Sequence, residues 1–213
     1  MDNIADIRKE YKLQVLDEKD VNIDPIRQFE KWWEDVSGSS VEEANAMTLA
    51  TATKTGRPSA RIVLLKGFNN EGFTFFTNYE SHKGTELLEN PQVSLVFFWK
   101  ELERQVRIEG MAEKISQEES DAYFNSRPEG SKIGAWASPQ SRVIISREII
   151  EENVSAMAKK FAGTTIHRPA HWGGYIVKPS VIEFWQGRPS RLHDRIQYTK
   201  FESGNWKIER LAP

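Results

Sequence analysis

From residue 46 onward the apolar side chains stop recurring every three or four positions and begin to alternate with polar ones. This change of period constrains the fold more than any other feature. A run that buries every second side chain settles as a strand, not as a helix. "AMTLATAT" (46–53), "ARIVLLKGF" (60–68) and "FTFFTN" (73–78) read this way, and their connectors "KTGRPS" and "NNEG" are rich in turn formers. "VSLVFFW" (93–99) and "RQVRIEGMAEKI" (104–115) make a second pair. In the latter, Gln105, Arg107 and Glu109 share one face, and Val106 and Ile108 take the other. The alternation resumes in "GYIVKP", "VIEFWQ", "IQYTKFE" and "WKIERL", with "ESGN" as the last hairpin turn.

Helical spacing fills the intervals. "DPIRQFEKWWEDVSG" has Asp24 as N-cap, Pro25 in the first turn, Phe29, Trp32, Trp33 and Val36 inward, and Gly38 as stop. A short helix is expected from Ser81 to Asn90. Ser116 with Glu119 forms a capping box for a helix through Phe124, and a longer helix is expected from Ser146 to Phe161. Ile4, Ile7 and Tyr11 recur at helical spacing and suggest an amphipathic arm over residues 1–20, ahead of a domain over 21–213. Hairpin-linked strands with inserted helices imply a mainly β chain with α, an antiparallel barrel surrounded by helices. The regular βα alternation of a doubly wound sheet is absent.

The chain's 213 residues are enough for one domain with a real core. The net charge of −2 supplies no global field for nucleic acid or an acidic membrane. The absence of cysteine removes disulfides, thiolate nucleophiles and Cys-ligated metals together. No apolar run approaches a membrane span, and "MDNIADIRKEYK" lacks an apolar signal core, so a cytoplasmic location is expected. No serine sits in a nucleophile elbow. His167 and His171 are spaced i, i+4, but Pro169 lies between them and no H-E-x-x-H pattern exists, so no metal site is expected. No glycine-rich phosphate loop is present, so any phosphate must be gripped by side chains.

Such side chains are scattered along the chain. Arg61 and Lys66 flank the apolar "IVLL", and His82 and Lys83 open a helix whose N-terminal amides also attract anions. Tyr123, Arg127 and Ser131 lie in "YFNSRPEGS", and Gln140 and Ser141 in "SPQS". "RPSRLHDR" (188–195) reads as a loop, because its proline-serine pair opposes a regular helix. Arg188, Arg191 and Arg195 make it either a solvated charged turn or an anion site, since a guanidinium fork matches phosphate and carboxylate oxygens. Taken singly, each of these residues also fits a surface charge or a cap, but a barrel can bring distant segments together. Strand alternation places Arg61 and Lys66 on opposite faces unless a bulge intervenes or Lys66 lies beyond the strand end.

The stretches "RIVLLK" (61–66), "ERQVRIEG" (103–110), "YFNSRPEGSKIGAW" (123–136), "WGGY" (172–175), "IEFWQGRPSRLHDR" (182–195) and "WKIERLAP" (206–213), with "RKEY" (8–11), resemble the pyridoxamine 5′-phosphate oxidase family nearly from end to end. The resemblance implies an FMN-binding split barrel that works as a homodimer, with FMN in clefts at the interface. It implies oxidation of pyridoxamine or pyridoxine 5′-phosphate to pyridoxal 5′-phosphate, in vitamin B6 biosynthesis and salvage. Hydride passes from substrate C4′ to flavin N5, with dioxygen as final acceptor and hydrogen peroxide as product.

Carried over by position, it implies FMN contacts from Arg61, Ile62, Val63, Leu64, Leu65, Lys66, Phe76, Thr77 and Lys83, and further ones from Gln105, Gln140, Ser141, Trp185 and Arg195. It implies substrate contacts from Lys66, Tyr123, Arg127, Ser131, Arg191, Leu192 and His193, with Arg8, Lys9, Glu10 and Tyr11 as a mobile cover. Arg191 and His193 stand closest to the chemistry, as the catalytic pair. The sequence departs from the family at His82, where an arginine is usual. Two alternatives stand beside this reading: another oxidoreductase on the same barrel, and a non-catalytic carrier of flavin or pyridoxal phosphate.

Overall fold

The alternation is realised as a single antiparallel sheet. In the computed structural model, which describes residues 3–6 and 9–213, nine strands join it. They are β1 (Ala46–Ala52), β2 (Pro58–Leu64), β3 (Gly67–Asn69), β4 (Gly72–Asn78), β5 (Gln92–Trp99), β6 (Arg104–Lys114), β7 (Trp172–Gln186), β8 (Asp194–Lys200) and β9 (Trp206–Arg210). Five helices surround the sheet: α1 (Pro25–Ser37), α2 (His82–Glu89), α3 (Gln117–Ser126), α4 (Glu129–Ala137) and α5 (Glu148–Phe161).

The strand order is β2-β1-β5-β6-β7-β4-β3, with β8 on β7 and β9 on β8. Both ends of this path belong to one stretch of chain, so the sheet curls. At the junction, the Leu65 amide donates to the Asn45 carbonyl and the Lys66 amide to the Thr74 carbonyl, each at 2.8 Å. Two successive residues therefore stitch the strand at one end of the circuit to the strands at the other. The single strand expected over 60–68 is accordingly two, β2 and β3, broken where the barrel closes.

The reverse correction applies at β7. Two strands were expected around Pro179, and the structure runs them together. Residues 172–177 of β7 pair with β4, and residues 181–186 pair with β8. β6 spans both halves, with its register shifted between Glu109 and Gly110. Pro179 is tolerated because it sits at this irregularity, where the ladder needs no donor. Gly110 faces it, and a Cβ there would lie 2.1 Å from the Lys178 carbonyl oxygen. The long strand thus belongs to the barrel along one half and to a β8–β9 extension along the other.

Helix α1 fills the barrel as its spacing predicts. Asp24 caps it by accepting from the Ile26 amide at 2.8 Å. Phe29 is fully buried, edge-on to Phe68 and Phe73 at 5.0 and 4.9 Å, and Trp32 stands edge-on to Phe184 at 5.1 Å. Edge-to-face packing of this kind adds to the area that the rings bury. A second cluster of Phe124, Ile133, Ile166 and Trp172 fixes α3 and α4 beside the barrel. The capping box of α3 forms as expected, and α5 starts at Glu148, slightly later than expected.

Among the described residues of the arm, no α-helix forms. Ile7 and Arg8 lie outside the described residues. Ile4 starts a single 3-10 turn, Ile4–Asp6, and is 85% exposed. From Lys9 to Leu16 the arm has no helix or strand of its own and is held by side chains of the barrel. Among the described residues, no helix is long and apolar enough to cross a membrane.

Candidate active site

The candidate residues gather in three places. The first is a cleft of about 530 Å³ between β2, β4 and the start of α4. Arg61, Ile62, Val63, Leu64 and Lys66 line it from β2 and just beyond, Phe76 and Thr77 from β4, and Lys83 from α2. Tyr123, Arg127, Ser131 and Gln140 line the far side. Lys66 shares the cleft with Arg61 because β2 ends at Leu64, which frees Lys66 from the alternation. Leu65 is turned away and buried in the core. Ser141, in left-handed backbone at φ 69°, follows Gln140 but does not line the cleft. His82 also lies off the cleft, with Nε2 3.4 Å from Glu86.

The cations of the cleft differ in how they are compensated. Arg61 is held by Glu86 at 3.2 Å, Ser59 at 2.6 Å and the Leu49 carbonyl at 3.2 Å. Burial pushes the Glu86 carboxyl up, but hydrogen bonds from Thr51 and Ser59, with the His82 and Arg61 charges, outweigh it and hold it below its ordinary value. Lys83 donates only to neutral oxygens, at 3.2 Å to Thr77, 3.4 Å to Ser81 and 3.2 Å to Gln140. Burial, and then the Arg61 charge, push its amine down. Among the described residues its ammonium faces no carboxylate.

Arg127 is less compensated still. It caps the end of α3, and its neighbour Pro128 caps the start of α4. Its buried Nη1 has no hydrogen-bond partner among the described residues, and burial pushes its pKa down. The guanidinium lies 4.6 Å over the Trp172 ring. Trp172 is stacked on Phe76 at 5.5 Å, and Phe76 on Tyr123 at 3.9 Å, so a wall of aromatic faces supports it. Ser131 lies in the first turn of α4, on the far side of the same cleft. The sequence reading missed this helix and Trp172 as a wall residue. Pro128 followed by Glu129 is a helix-start signal that marks the former.

The second place is a pocket of about 460 Å³ lined by Lys9, Glu10 and Tyr11 of the arm and by Arg188, Ser190, Arg191 and His193. Tyr11 stands edge-on to Trp185 at 5.8 Å and tilted to His193 at 6.1 Å. The "RPSRLHDR" loop is a 3-10 turn, Pro189–Arg191, with Ser190 and Arg191 both in left-handed backbone at φ 55° and 63°. Two adjacent non-glycine residues held there store strain of about 1–3 kcal/mol each, which persists only where the surroundings enforce it. The enforcement is visible. The Arg188 amide donates to His193 Nδ1 at 3.1 Å, and the Arg188 guanidinium pairs with Asp194 at 3.1 Å. Burial, and then the Arg191 charge, push the His193 imidazole down, against a smaller upward pull from Asp194. The ring is therefore neutral near pH 7, accepts at Nδ1 and carries its proton on Nε2. Leu192 is 67% exposed and does not line the pocket, and Arg8 lies outside the described residues.

The third group is a row across the extension. Gln105 on β6 pairs with Trp185 on β7, which pairs with Arg195 on β8. Arg195 grips the buried Glu183 with two bonds of 2.7 and 3.2 Å and donates to the Ala212 carbonyl at 2.9 Å. Glu183 also pairs with Arg107 at 3.3 Å. Sequence reading gave Glu183 no role, although it lies two residues from Trp185 and so on the same face.

The pyridoxamine 5′-phosphate oxidase family model matches residues 38–161 of this chain, and the model of the pyridoxine 5′-phosphate oxidase C-terminal dimerisation region matches residues 172–213. The pyridoxine/pyridoxamine 5′-phosphate oxidase of Cupriavidus metallidurans is 56% identical over the full length of both chains. That of Salinibacter ruber is 54% identical, also over the full length of both. Among solved structures, PhzG from Burkholderia lata, in complex with tetrahydrophenazine-1-carboxylic acid, superposes with a TM-score of 0.88 at 30% identity, covering 94% of this chain and 99% of that one. A pyridoxamine 5′-phosphate oxidase-related, FMN-binding protein of Nostoc punctiforme shares the fold at 18% identity, with a TM-score of 0.67 over 85% of this chain and 97% of that one. A split-barrel sheet with these segments in this order, matched from end to end by such relatives, makes this chain an oxidoreductase that belongs to the pyridoxamine 5′-phosphate oxidase family.

Proposed function

We propose that the chain is an FMN-dependent homodimer that oxidises pyridoxamine 5′-phosphate and pyridoxine 5′-phosphate to pyridoxal 5′-phosphate, with dioxygen as acceptor and hydrogen peroxide as by-product, the amine substrate also consuming water and releasing ammonia. The observation that carries this reading is the pair of under-compensated cations in one cleft. Lys83 has only neutral partners, and Arg127 has an orphaned buried Nη1. Both lie in the cleft lined by the aromatic faces of Phe76, Tyr123 and Trp172. A flat cofactor and a flat substrate, each with one phosphate, match two cationic corners beside an aromatic wall. The donor set therefore fits FMN.

In this reading Arg61 and Lys83 hold the FMN phosphate, with Thr77 and Gln140 beside them. Lys66, Tyr123, Arg127 and Ser131 hold the substrate phosphate. FMN held there would supply the two-electron redox chemistry that oxidation at the substrate's C4′ requires. The protein's part is orientation and exclusion of water. Arg191, and His193 with an N–H on Nε2, fix the pyridine ring and its substituents. No side-chain nucleophile is called for, and the chain has no cysteine to offer one.

One subunit carries the cleft and the Arg191–His193 pocket as separate places. A homodimer that sets one subunit's pocket against the other's cleft would complete the site. The dimerisation-region match supports this, because residues 172–213 carry Trp185, Arg191, His193 and Arg195. FMN that binds only the assembled dimer stabilises it, by about 2.7 kcal/mol at a hundred times Kd. Sedimentation is expected to show a dimer whose dissociation FMN suppresses. A monomer that still holds FMN tightly would count against the shared site.

The deciding experiment is a visible spectrum of the purified protein followed by pyridoxamine 5′-phosphate without oxygen. A flavin spectrum that bleaches, then recovers in air with release of peroxide, is the expected result. A protein that stays yellow would leave the carrier as the better reading, and one that binds no flavin would refute the proposal.

A further inference from the structure

The β5–β6 turn holds a carboxylate that neither the cleft nor the pocket uses directly. Glu103 is 2% exposed and lies in left-handed backbone at φ 55° and ψ 38°. A glutamate this buried needs strong partners, and a non-glycine residue in this conformation needs a reason to stay there. Its Oε2 accepts from the amides of Lys12 and Leu13 at 2.8 and 3.0 Å. Its Oε1 lies 3.2 Å from the Lys9 ammonium. All three partners belong to the arm.

The same residue's main chain faces the other way. The Glu103 carbonyl accepts from the Gly187 amide at 2.7 Å and from the Gln186 side chain at 3.1 Å. Gly187 is where β7 passes into the "RPSRLHDR" loop. It is also the floor beneath Tyr11, since a Cβ on Gly187 would lie 2.7 Å from the Tyr11 ring. One residue therefore ties down the two segments that form the walls of the pocket: the arm through its carboxylate, and the root of the arginine loop through its carbonyl.

We infer that Glu103 is a positioning residue, which latches the arm at a set height over the Arg191–His193 pocket and so sets the affinity for the substrate's ring. The inference rests on reading that pocket as the ring-binding half of the active site. Burial opposes the charge on Glu103, but the Leu13 amide, Lys9 and the Lys12 amide overcome it and hold its carboxyl below the ordinary value, so the latch is ionised at neutral pH.

The test compares full-length Glu103→Gln and Glu103→Ala with Gly187→Ala, whose added methyl would press on the Tyr11 ring and displace the arm with the Glu103 carboxylate left in place. Trypsin cleavage after Lys12 reports the arm, fluorescence titration reports FMN affinity, and steady-state rates report KM and kcat. Glutamine can keep the two amide bonds while losing the Lys9 pair, so a graded response is expected. Cleavage should quicken modestly in Glu103→Gln and about tenfold or more in Glu103→Ala and Gly187→Ala. KM for pyridoxamine 5′-phosphate should rise in the same order, up to about tenfold, while FMN affinity and the melting temperature change little. Glu103→Gln keeps the side chain's size, so it keeps the test decisive if the alanine at 103 fails to fold, and Gly187→Ala gives the KM of a displaced arm. Parental trypsin resistance in both Glu103→Gln and Glu103→Ala would overturn the latch. A freed arm with parental KM would overturn the positioning role. If the parental protein fails to oxidise pyridoxamine 5′-phosphate, the proposed function falls, while the cleavage measurement still decides whether Glu103 holds the arm.

Discussion

Replacing Arg127 by alanine is expected to raise KM for pyridoxamine 5′-phosphate about 30-fold, the equivalent of about 2 kcal/mol for a charged contact, while flavin content stays the same. The effect is specific because Arg127 and Lys83 stand at different corners of the cleft. Lys83 is tied to Thr77 and Gln140, and Arg127 sits over Trp172 between α3 and α4. A second readout separates ligand binding from scaffolding. Nη1 of Arg127 is buried without a protein partner among the described residues, so the protein alone does not compensate its charge. Arg127→Leu should therefore leave the melting temperature of the apoprotein level or higher, and should abolish its rise on adding pyridoxal 5′-phosphate. A large fall in apoprotein stability, or flavin loss with normal KM, would show that Arg127 serves the fold or the cofactor.

Features governed by a few neighbouring residues were legible in the sequence. The Asp24 and Ser116 caps act within three residues, and α1 buries the side chains that its spacing nominates. Features governed by closure were not. Nothing in "ARIVLLKGF" marks Leu65 and Lys66 as the seam, because the groups that break the strand there, the carbonyls of Asn45 and Thr74, belong to other segments. The fusion of two expected strands into β7 has the same origin, since β6 runs past Pro179 and carries the irregularity opposite it.

The site followed the same rule. Cationic residues that end in a cleft were visible as types, and the family resemblance placed them. The buried acids that aim them were not visible. Glu86, Glu103 and Glu183 look like surface charges in sequence, and only tertiary contacts turn them into anchors for Arg61, the arm and Arg195. Strain was likewise hidden, because serine and arginine give no local reason for the left-handed backbone at Ser190 and Arg191.

The two arginines of "RPSRLHDR" are expected to fail in different ways. Arg191 lines the pocket with His193 on a strained turn, so Arg191→Leu should keep its flavin and melting temperature. Its reduction by pyridoxamine 5′-phosphate without oxygen should slow about 100-fold, the scale on which small misplacements of a bound reactant reduce rate. Arg195 lies on β8 with its guanidinium committed to Glu183. Arg195→Leu should weaken FMN binding, with much of the activity restored by excess FMN. It should also lower stability by about 1–3 kcal/mol, because Glu183 would lose two hydrogen bonds while keeping Arg107 as a partner. Arg195→Lys, which keeps a charge for Glu183, should recover the stability but not the full FMN affinity.

His193 supplies the control. Its Nδ1 is occupied by the Arg188 amide and its imidazole is held neutral. Since its pKa is lowered, the neutral ring predominates throughout the neutral range, and the acid limb of kcat/KM should fall below the ordinary histidine value of about 6.5. His193→Asn should remove that limb and slow reduction mildly if Nε2–H only orients the ring, or severely if it moves a proton. Stopped-flow reduction decides the assignment: parental rates in Arg191→Leu, with Arg195→Leu inactive even at saturating FMN, would mean that the two arginines serve each other's proposed ligand.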